Sequence, residues 1–296
     1  MIITRLSGGM GNQMFQYALG RALSLKYGVP LLLDVEMQKY LYKTNLPTQG
    51  VVFRDYKLEL FSISAQIATK DNLPWWGFPF GHGKIKVIID AIRRQVLPHP
   101  GKEKKFNFDP AILSCGPNVY LDGYWQSQKY FIAYADTIRK EFQIKELPTK
   151  HISDLGKEMS SCQSVCVHVR RGDYVGNSFY EQLNKEYYVS GMAHIKEKVA
   201  VDHVYIFSDD TAWCKDNLVF DFEVTYVGDE YKGDHDEGHF WLMQQCRNFI
   251  NANSTFSWWA AWLAPWQEKI VIAPKKWFAD TAIDTSDLIP DTWLRL

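Results

Sequence analysis

Apolar and polar positions along the chain switch repeatedly between a strand pattern and a helix pattern. Residues 2–6 predict a strand, Ser7-Gly8-Gly9-Met10-Gly11-Asn12 a glycine-rich loop, and the spaced apolar set Met14, Ala18, Ala22 and Leu25 a helix from about Gln13 to Tyr27. Gly28-Val29-Pro30 stops that helix, and residues 31–34 form a second strand. Strand, loop, helix, strand is the unit from which parallel sheets are built. Residues 35–115 are less regular, with an aromatic loop at 75–81 and a helix expected from Ile85 to Val96. Lys102-Glu103-Lys104-Lys105 reads as a solvated turn. A strand at 119–122 and a helix from Tyr130 to Phe142 complete this half.

Residues 148–164 are polar and read as the crossing between domains. Alternation then resumes, with strands at 165–169, 203–207, 223–227, 249–251 and 269–273 and helices near 184–200, 211–217, 236–246 and 257–263. Two such runs predict an α/β protein of two doubly wound, Rossmann-like domains facing a cleft, 1–150 and 151–296.

Composition narrows the function. A 46% hydrophobic and 23% charged chain is globular, and a formal net charge of −1 argues against a nucleic-acid partner, which needs a basic surplus. The five cysteines form no CxxC pair and stand with no zinc-type spacing, so reduced thiols are expected. No signal-peptide layout opens the chain, and the apolar run at 258–266 is short and broken by Pro265. A cytoplasmic enzyme is the expectation, with peripheral membrane contact left open and oligomeric state unspecified.

Four loops carry chemistry. His168-Val169-Arg170-Arg171-Gly172-Asp173-Tyr174 ends a strand in two guanidinium groups at a glycine, a place suited to a diphosphate. Gly9, Met10 and Gly11 open a helix, where backbone N–H groups favour an anion, and Asn12 and Gln13 add amides. The stretch is neither a dinucleotide fingerprint, since Met14 stands where glycine is needed, nor a phosphate loop. Ser208-Asp209-Asp210 reads as a helix cap, with Ser208 or Asp209 starting the helix at Thr211, or as a magnesium–diphosphate site; with two arginines to neutralise charge, the metal-free version is favoured. Asn253-Ser254-Thr255-Phe256-Ser257 ends another strand with more hydroxyls than one cap needs, while Trp258, Trp259 and Trp262 read as core.

Together, Gly8–Tyr17, His168–Tyr174, Ser208–Asp210 and Asn253–Trp259 resemble the bacterial α-1,2-fucosyltransferases of glycosyltransferase family 11, in the family's order and over residues 1 to about 280. The resemblance implies a GT-B fold. It also implies transfer of L-fucose from GDP-fucose to the 2-hydroxyl of a terminal β-galactoside, with inversion, no metal and no cofactor, in surface polysaccharide or oligosaccharide synthesis. By the same resemblance Arg170 grips the β-phosphate, His168 lies on the guanine or ribose side, Ser254–Ser257 receive the phosphates, and Asn12 faces the reacting sugar. Related sequences often place an aspartate before the Leu-Met of the helix near 240. Here His239-Phe240-Trp241 precede Leu242-Met243, which leaves guanine to Asp236, to Glu237 or to backbone groups.

Departure of GDP builds negative charge on the β-phosphate, and fixed positive charge there is the largest help available. Arg170 is the expected stabiliser, with Arg171, Asp209 and Asp210 beside it. Asp173 serves either as base or as orienter of the arginines, and Asp34, Glu36 and Asp122 are weaker base candidates; GDP itself taking the proton is a further route. Trp75, Trp76, Tyr124 and Trp125 are the expected sugar-stacking residues for the acceptor. Three alternatives compete: a GDP-fucose transferase forming α-1,6 or protein O-linkages, a magnesium-dependent phosphohydrolase using Asp209 and Asp210, and a non-catalytic sugar-binding protein.

Overall fold

A computed structural model describes residues 1–36, 55–73, 100–146 and 149–296. The expected Ile85–Val96 helix and the loop of Trp75 and Trp76 lie outside the described residues. The chain separates into two compact units, Met1–Gln143 with Ser286–Leu288, and Ile144–Thr285 with Ile289–Leu296.

In the first unit β1 (Ile2–Arg5) pairs in parallel with β2 (Leu31–Asp34) on one side and β4 (Val119–Leu121) on the other, and β3 (Gln66–Ile67) extends the β2 edge. Strand order β3-β2-β1-β4 makes β1 the point where the sheet changes direction. Helix α1 (Met10–Tyr27) begins three residues before the expected start, so Gly11, Asn12 and Gln13 are its first turn rather than a loop. Gly9 caps it through backbone alone. Its apolar face, including Met14, Phe15, Ala18, Leu19 and Ala22, is buried. Tyr17 donates to the Glu141 carboxylate at 2.5 Å and Arg21 pairs with it at 2.8 Å, which ties α1 to α2 (Ala135–Glu141). The expected Tyr130–Phe142 helix is instead two 3-10 turns followed by α2, because Phe131, at φ −135° and ψ 1°, interrupts the helical backbone.

In the second unit six parallel strands run in the order β10-β9-β8-β5-β6-β7. They are β5 (Ser164–Val169), β6 (His203–Ser208), β7 (Glu223–Tyr226), β8 (Asn248–Ile250), β9 (Val271–Ala273) and β10 (Leu294–Arg295). The stretch expected as a polar crossing holds helix α3 (Lys150–Ser161). Its buried residues Ile152, Leu155, Gly156 and Met159 follow the helical period, and polar residues cover the other face. Val165, Val167 and Val169 of β5 face α4 (Lys185–Lys196), packing on Tyr187, Tyr188, Met192 and Ile195. Alternate residues Cys166 and His168 are also buried, as in a parallel sheet covered on both faces. Between strands stand α5 (Thr211–Asn217), α6 (Glu237–Gln245) and α7 (Thr255–Leu263). On α7, Trp258 and Trp259 are fully buried and Trp262 nearly so. At roughly 150–250 Å² each, such rings contribute about 4–6 kcal/mol of burial apiece, which places them in the core rather than on a sugar platform. All five cysteines are free thiols. Among the described residues no helix is long and apolar enough to cross a membrane.

Candidate active site

The order β8-β5-β6 places the switch point of the second unit between β5 and β8, where open parallel sheets bind ligands beyond the carboxyl ends of their strands. Arg170 is the first residue past β5. Its Nη2 lies 2.6 Å from Asp173 Oδ1 and its Nη1 2.9 Å from Asp209 Oδ2, with the Tyr174 ring 5.7 Å from the guanidinium. Burial works to lower its pKa, but Asp209 and Asp173 outweigh that and hold it above the ordinary arginine value. A Cβ at Gly172 would fall 2.8 Å from Asp209 Oδ2, so only glycine lets that carboxylate come so close to the loop. Asp173 is thus paired with Arg170.

Arg171 points elsewhere. Its backbone N–H donates to Asp209 Oδ1 at 2.8 Å, its Nε to Asp210 Oδ2 at 3.0 Å, and its guanidinium lies 4.3 Å from the centre of the Trp213 ring. Asp210 caps α5, accepting from Trp213 N at 3.0 Å, and that bond with the Arg171 pair holds its carboxyl below the usual range. The two aspartates are thus committed to arginines and a helix start, and among the described residues no cluster of His, Cys, Asp and Glu is arranged to hold a metal.

Across the switch, Ser254 caps α7 by accepting from Phe256 N, and Ser257 Oγ donates to Ser254 O, so the helix start faces the carboxyl end of the sheet. Thr255 and Phe256 form its half-buried first turn. Asn253 works as a tie: its Nδ2 donates to Glu181 O at 3.0 Å and Trp277 O at 2.8 Å, and its carbonyl accepts from the Tyr174 hydroxyl. Asn253 stands among the residues expected to bind the donor, and its amide nitrogen is taken up by these neighbouring loops.

His168 is 7% exposed and lies 6.1 Å from the Phe256 ring. Burial first, then Arg170 and His239, pull its imidazole down to about 3, so it is neutral at physiological pH. The Val167–Ile250 register, carried one step on, sets His168 level with Asn251. His168 Nδ1 and both side-chain polar atoms of Asn251 are buried without a hydrogen-bond partner, a density of orphan groups that marks a place awaiting polar atoms. Asn251 gave no signal in sequence, where it is one more small polar residue at a strand end.

The guanine candidates are differently employed. Glu237 accepts from Asp234 N at 3.1 Å and His235 N at 2.7 Å, closing its own loop, and Asp236 pairs with Lys232 at 3.2 Å. His239 donates Nε2–H to Gly228 O at 2.8 Å.

In the first unit Gly9 and Met10 stand at the start of α1, beyond β1. Gln13 is wholly buried, bonding Gly8 O, Asp55 O and Lys57 N, and Gln16 bonds Ser7 and Gly123 O, so these amides are braces. Among base candidates Asp34 is buried and accepts from the Tyr120 hydroxyl, and Asp122 pairs with Arg5 at 2.6 Å. Tyr124 is 43% exposed, but Trp125 is 2% exposed, edge-on to Tyr130, and has no open face for stacking on a sugar. Glu103, expected in a solvated turn, instead accepts from Tyr124 N and Trp125 N; burial pushes its carboxyl up.

Two parallel, doubly wound units with an arginine-bearing loop at a switch point define a GT-B glycosyltransferase. The sequence profile of glycosyl transferase family 11 matches residues 103–295, and the chain belongs to that family. It is 30% identical to the α-1,2-colitosyltransferase of Escherichia coli over 100% of this chain and 99% of that one. It is 26% identical to galactoside α-(1,2)-fucosyltransferase 2 of Pongo pygmaeus over 87% and 67%. Among solved structures, the fucosyltransferase NodZ from Bradyrhizobium superposes with a TM-score of 0.52 at 14% identity, covering 89% of this chain and 92% of that one.

Proposed function

We propose that the protein transfers L-fucose from GDP-fucose to the 2-hydroxyl of a terminal β-galactoside, with inversion and without a metal. The observation that carries it is the Arg170 guanidinium, braced by two carboxylates at the carboxyl end of β5 and beside the switch point that α7 opens. Arg170 takes up the charge that develops on the β-phosphate as GDP leaves, and the first turn of α7 offers N–H donors to the same phosphates. His168 and Asn251 lie on the nucleoside side as neutral hydrogen-bonding groups. The names of the similar α-1,2-transferases favour this linkage over α-1,6 transfer. Asp173 stays an orienter, and the proton of the acceptor leaves with GDP.

The test is incubation with GDP-fucose and a panel of β-galactosides in EDTA, reading GDP release and product linkage by NMR. An α-1,2-fucosylated product formed in EDTA is the expected result. GDP-colitose, which lacks the 3-hydroxyl of fucose, is the comparison donor, because the E. coli relative is named for that sugar. Transfer only with GDP-colitose, or only with added magnesium, overturns the donor or the metal-free part respectively.

A further inference from the structure

Polar atoms without partners also gather in the first unit. Residues 123–127 follow β4, beside β1, at the switch point of that sheet. Trp125 sits at φ +55°, a left-handed conformation rare for a bulky side chain and kept only where surroundings over-determine it. Glu103 supplies the constraint: Oε2 accepts from Tyr124 N at 2.7 Å and Oε1 from Trp125 N at 3.0 Å, while Ser127 N donates to Trp125 O at 2.8 Å. The turn points Trp125 and Gln126 inward, at 2% and 6% exposure. Nevertheless Trp125 Nε1, a donor, and Gln126 Oε1, an acceptor, have no partner. The remaining amide atom, Gln126 Nε2, donates to Asn12 Oδ1 at 2.9 Å, and Asn12 is half-buried in the first turn of α1. Gly8, at φ +74°, passes so close over the Asn12 amide that a Cβ there would fall 2.5 Å from Nδ2.

The charges at these strand ends are paired within the unit, Arg5 with Asp122, and Asp34 accepts the Tyr120 hydroxyl. What stands without a partner is a carboxamide oxygen and an indole N–H. A phosphate carries acceptors only and seeks arginine, whereas an alcohol both donates and accepts and is matched by a carboxamide. The resemblance already turns Asn12 toward the reacting sugar; we propose that Gln126 is the residue that positions Asn12, and that the two together take a hydroxyl of the neutral acceptor sugar. The strained turn holds Gln126 in place, and its spare Oε1 with Trp125 Nε1 completes the hydrogen bonding when the sugar is bound. The proposal rests on the glycosyl-transfer reading above.

Full-length Gln126→Leu and Trp125→Phe are compared with the unaltered protein in steady-state kinetics, with lactose as acceptor and GDP-fucose as donor. Gln126→Leu is expected to raise the lactose KM about tenfold, as for a lost buried hydrogen-bonding group, and Trp125→Phe about threefold. The donor KM and the GDP Kd stay within about twofold in both, a split that a merely structural role would not give. Equal changes for both substrates, or none for lactose, overturn the proposal. Where Gln126→Leu fails to give a cooperative melt, Gln126→Glu, which keeps an acceptor but loses the donor to Asn12, carries the same comparison. Saturation-transfer NMR with lactose, N-acetyllactosamine and galactosyl-β-1,3-N-acetylgalactosamine needs no turnover. Saccharide binding that Gln126→Leu abolishes, in a protein that transfers no sugar, upholds the subsite and removes the transfer reading. No binding of any of the three by the unaltered protein removes the subsite.

Discussion

Replacing Arg170 by alanine separates its structural from its chemical contribution. Structurally the side chain is 27% exposed and makes two ion pairs, at 2.6 and 2.9 Å. Solvent-screened pairs of this kind contribute about 0.5–1 kcal/mol each, so losing both costs about 1–2 kcal/mol and lowers the melting temperature by about 2–6 °C. Chemically, a lost charged group at a departing oxyanion costs about 4 kcal/mol of barrier, which at 1.36 kcal/mol per decade is about a 10³-fold loss in kcat/KM. Arg170→Lys keeps the charge but not the fork that spans Asp173 and Asp209, and about a 10–100-fold loss is expected. Kinetics by GDP release, with thermal melts on the same preparations, reads both quantities. An alanine variant within about tenfold of normal kcat/KM, with its melt preserved, refutes the assignment of Arg170 to the leaving group.

Two further outcomes follow from buried polar groups. His168 has its folded pKa at about 3, below the ordinary histidine value, so between those two values the unfolded chain binds the extra proton and stability falls as pH falls. Between pH 7 and pH 5 urea unfolding should show a loss of about 2 kcal/mol attributable to this residue; a His168→Phe variant with the same pH slope contradicts it. Asn253→Ala leaves the carbonyls of Glu181 and Trp277 without their donor, at about 2–4 kcal/mol in all. Limited proteolysis should then cut within residues 171–182 sooner than in the unaltered protein, and an unchanged cleavage rate rules out the tie.

The second unit was legible because its strands are short apolar runs bounded by turn residues, and the motif residues fall at their carboxyl ends. A helix cap is one of two sequence readings of Ser208-Asp209-Asp210, but it is expected at Ser208 or Asp209 and the structure has it at Asp210; sequence alone cannot choose between the readings, since an aspartate before a helix serves a cap and a metal equally. Helix α3 was missed although Ile152, Leu155 and Met159 carried the right spacing, because the charged residues between them dominated the pattern. Glu103 reads as part of a solvated turn for a different reason: its partners Tyr124 and Trp125 lie 21 and 22 residues away in sequence, and no local signal reports them. Trp125 looked like a stacking platform by residue type, but its left-handed backbone turns the ring into the core.

The double bracing of Arg170 bears on how a donor arrives. Arg170 and Arg171 face Asp173, Asp209 and Asp210, two positive charges against three negative, so the cluster does not draw polyanions from a distance. A guanidinium carries five N–H donors, more than these two carboxylate contacts take up, so on the proposed reading a diphosphate joins Asp173 and Asp209 at Arg170 rather than displacing them. With its own carboxylates balancing its arginines, the loop should meet an anionic donor at a rate that changes little with ionic strength.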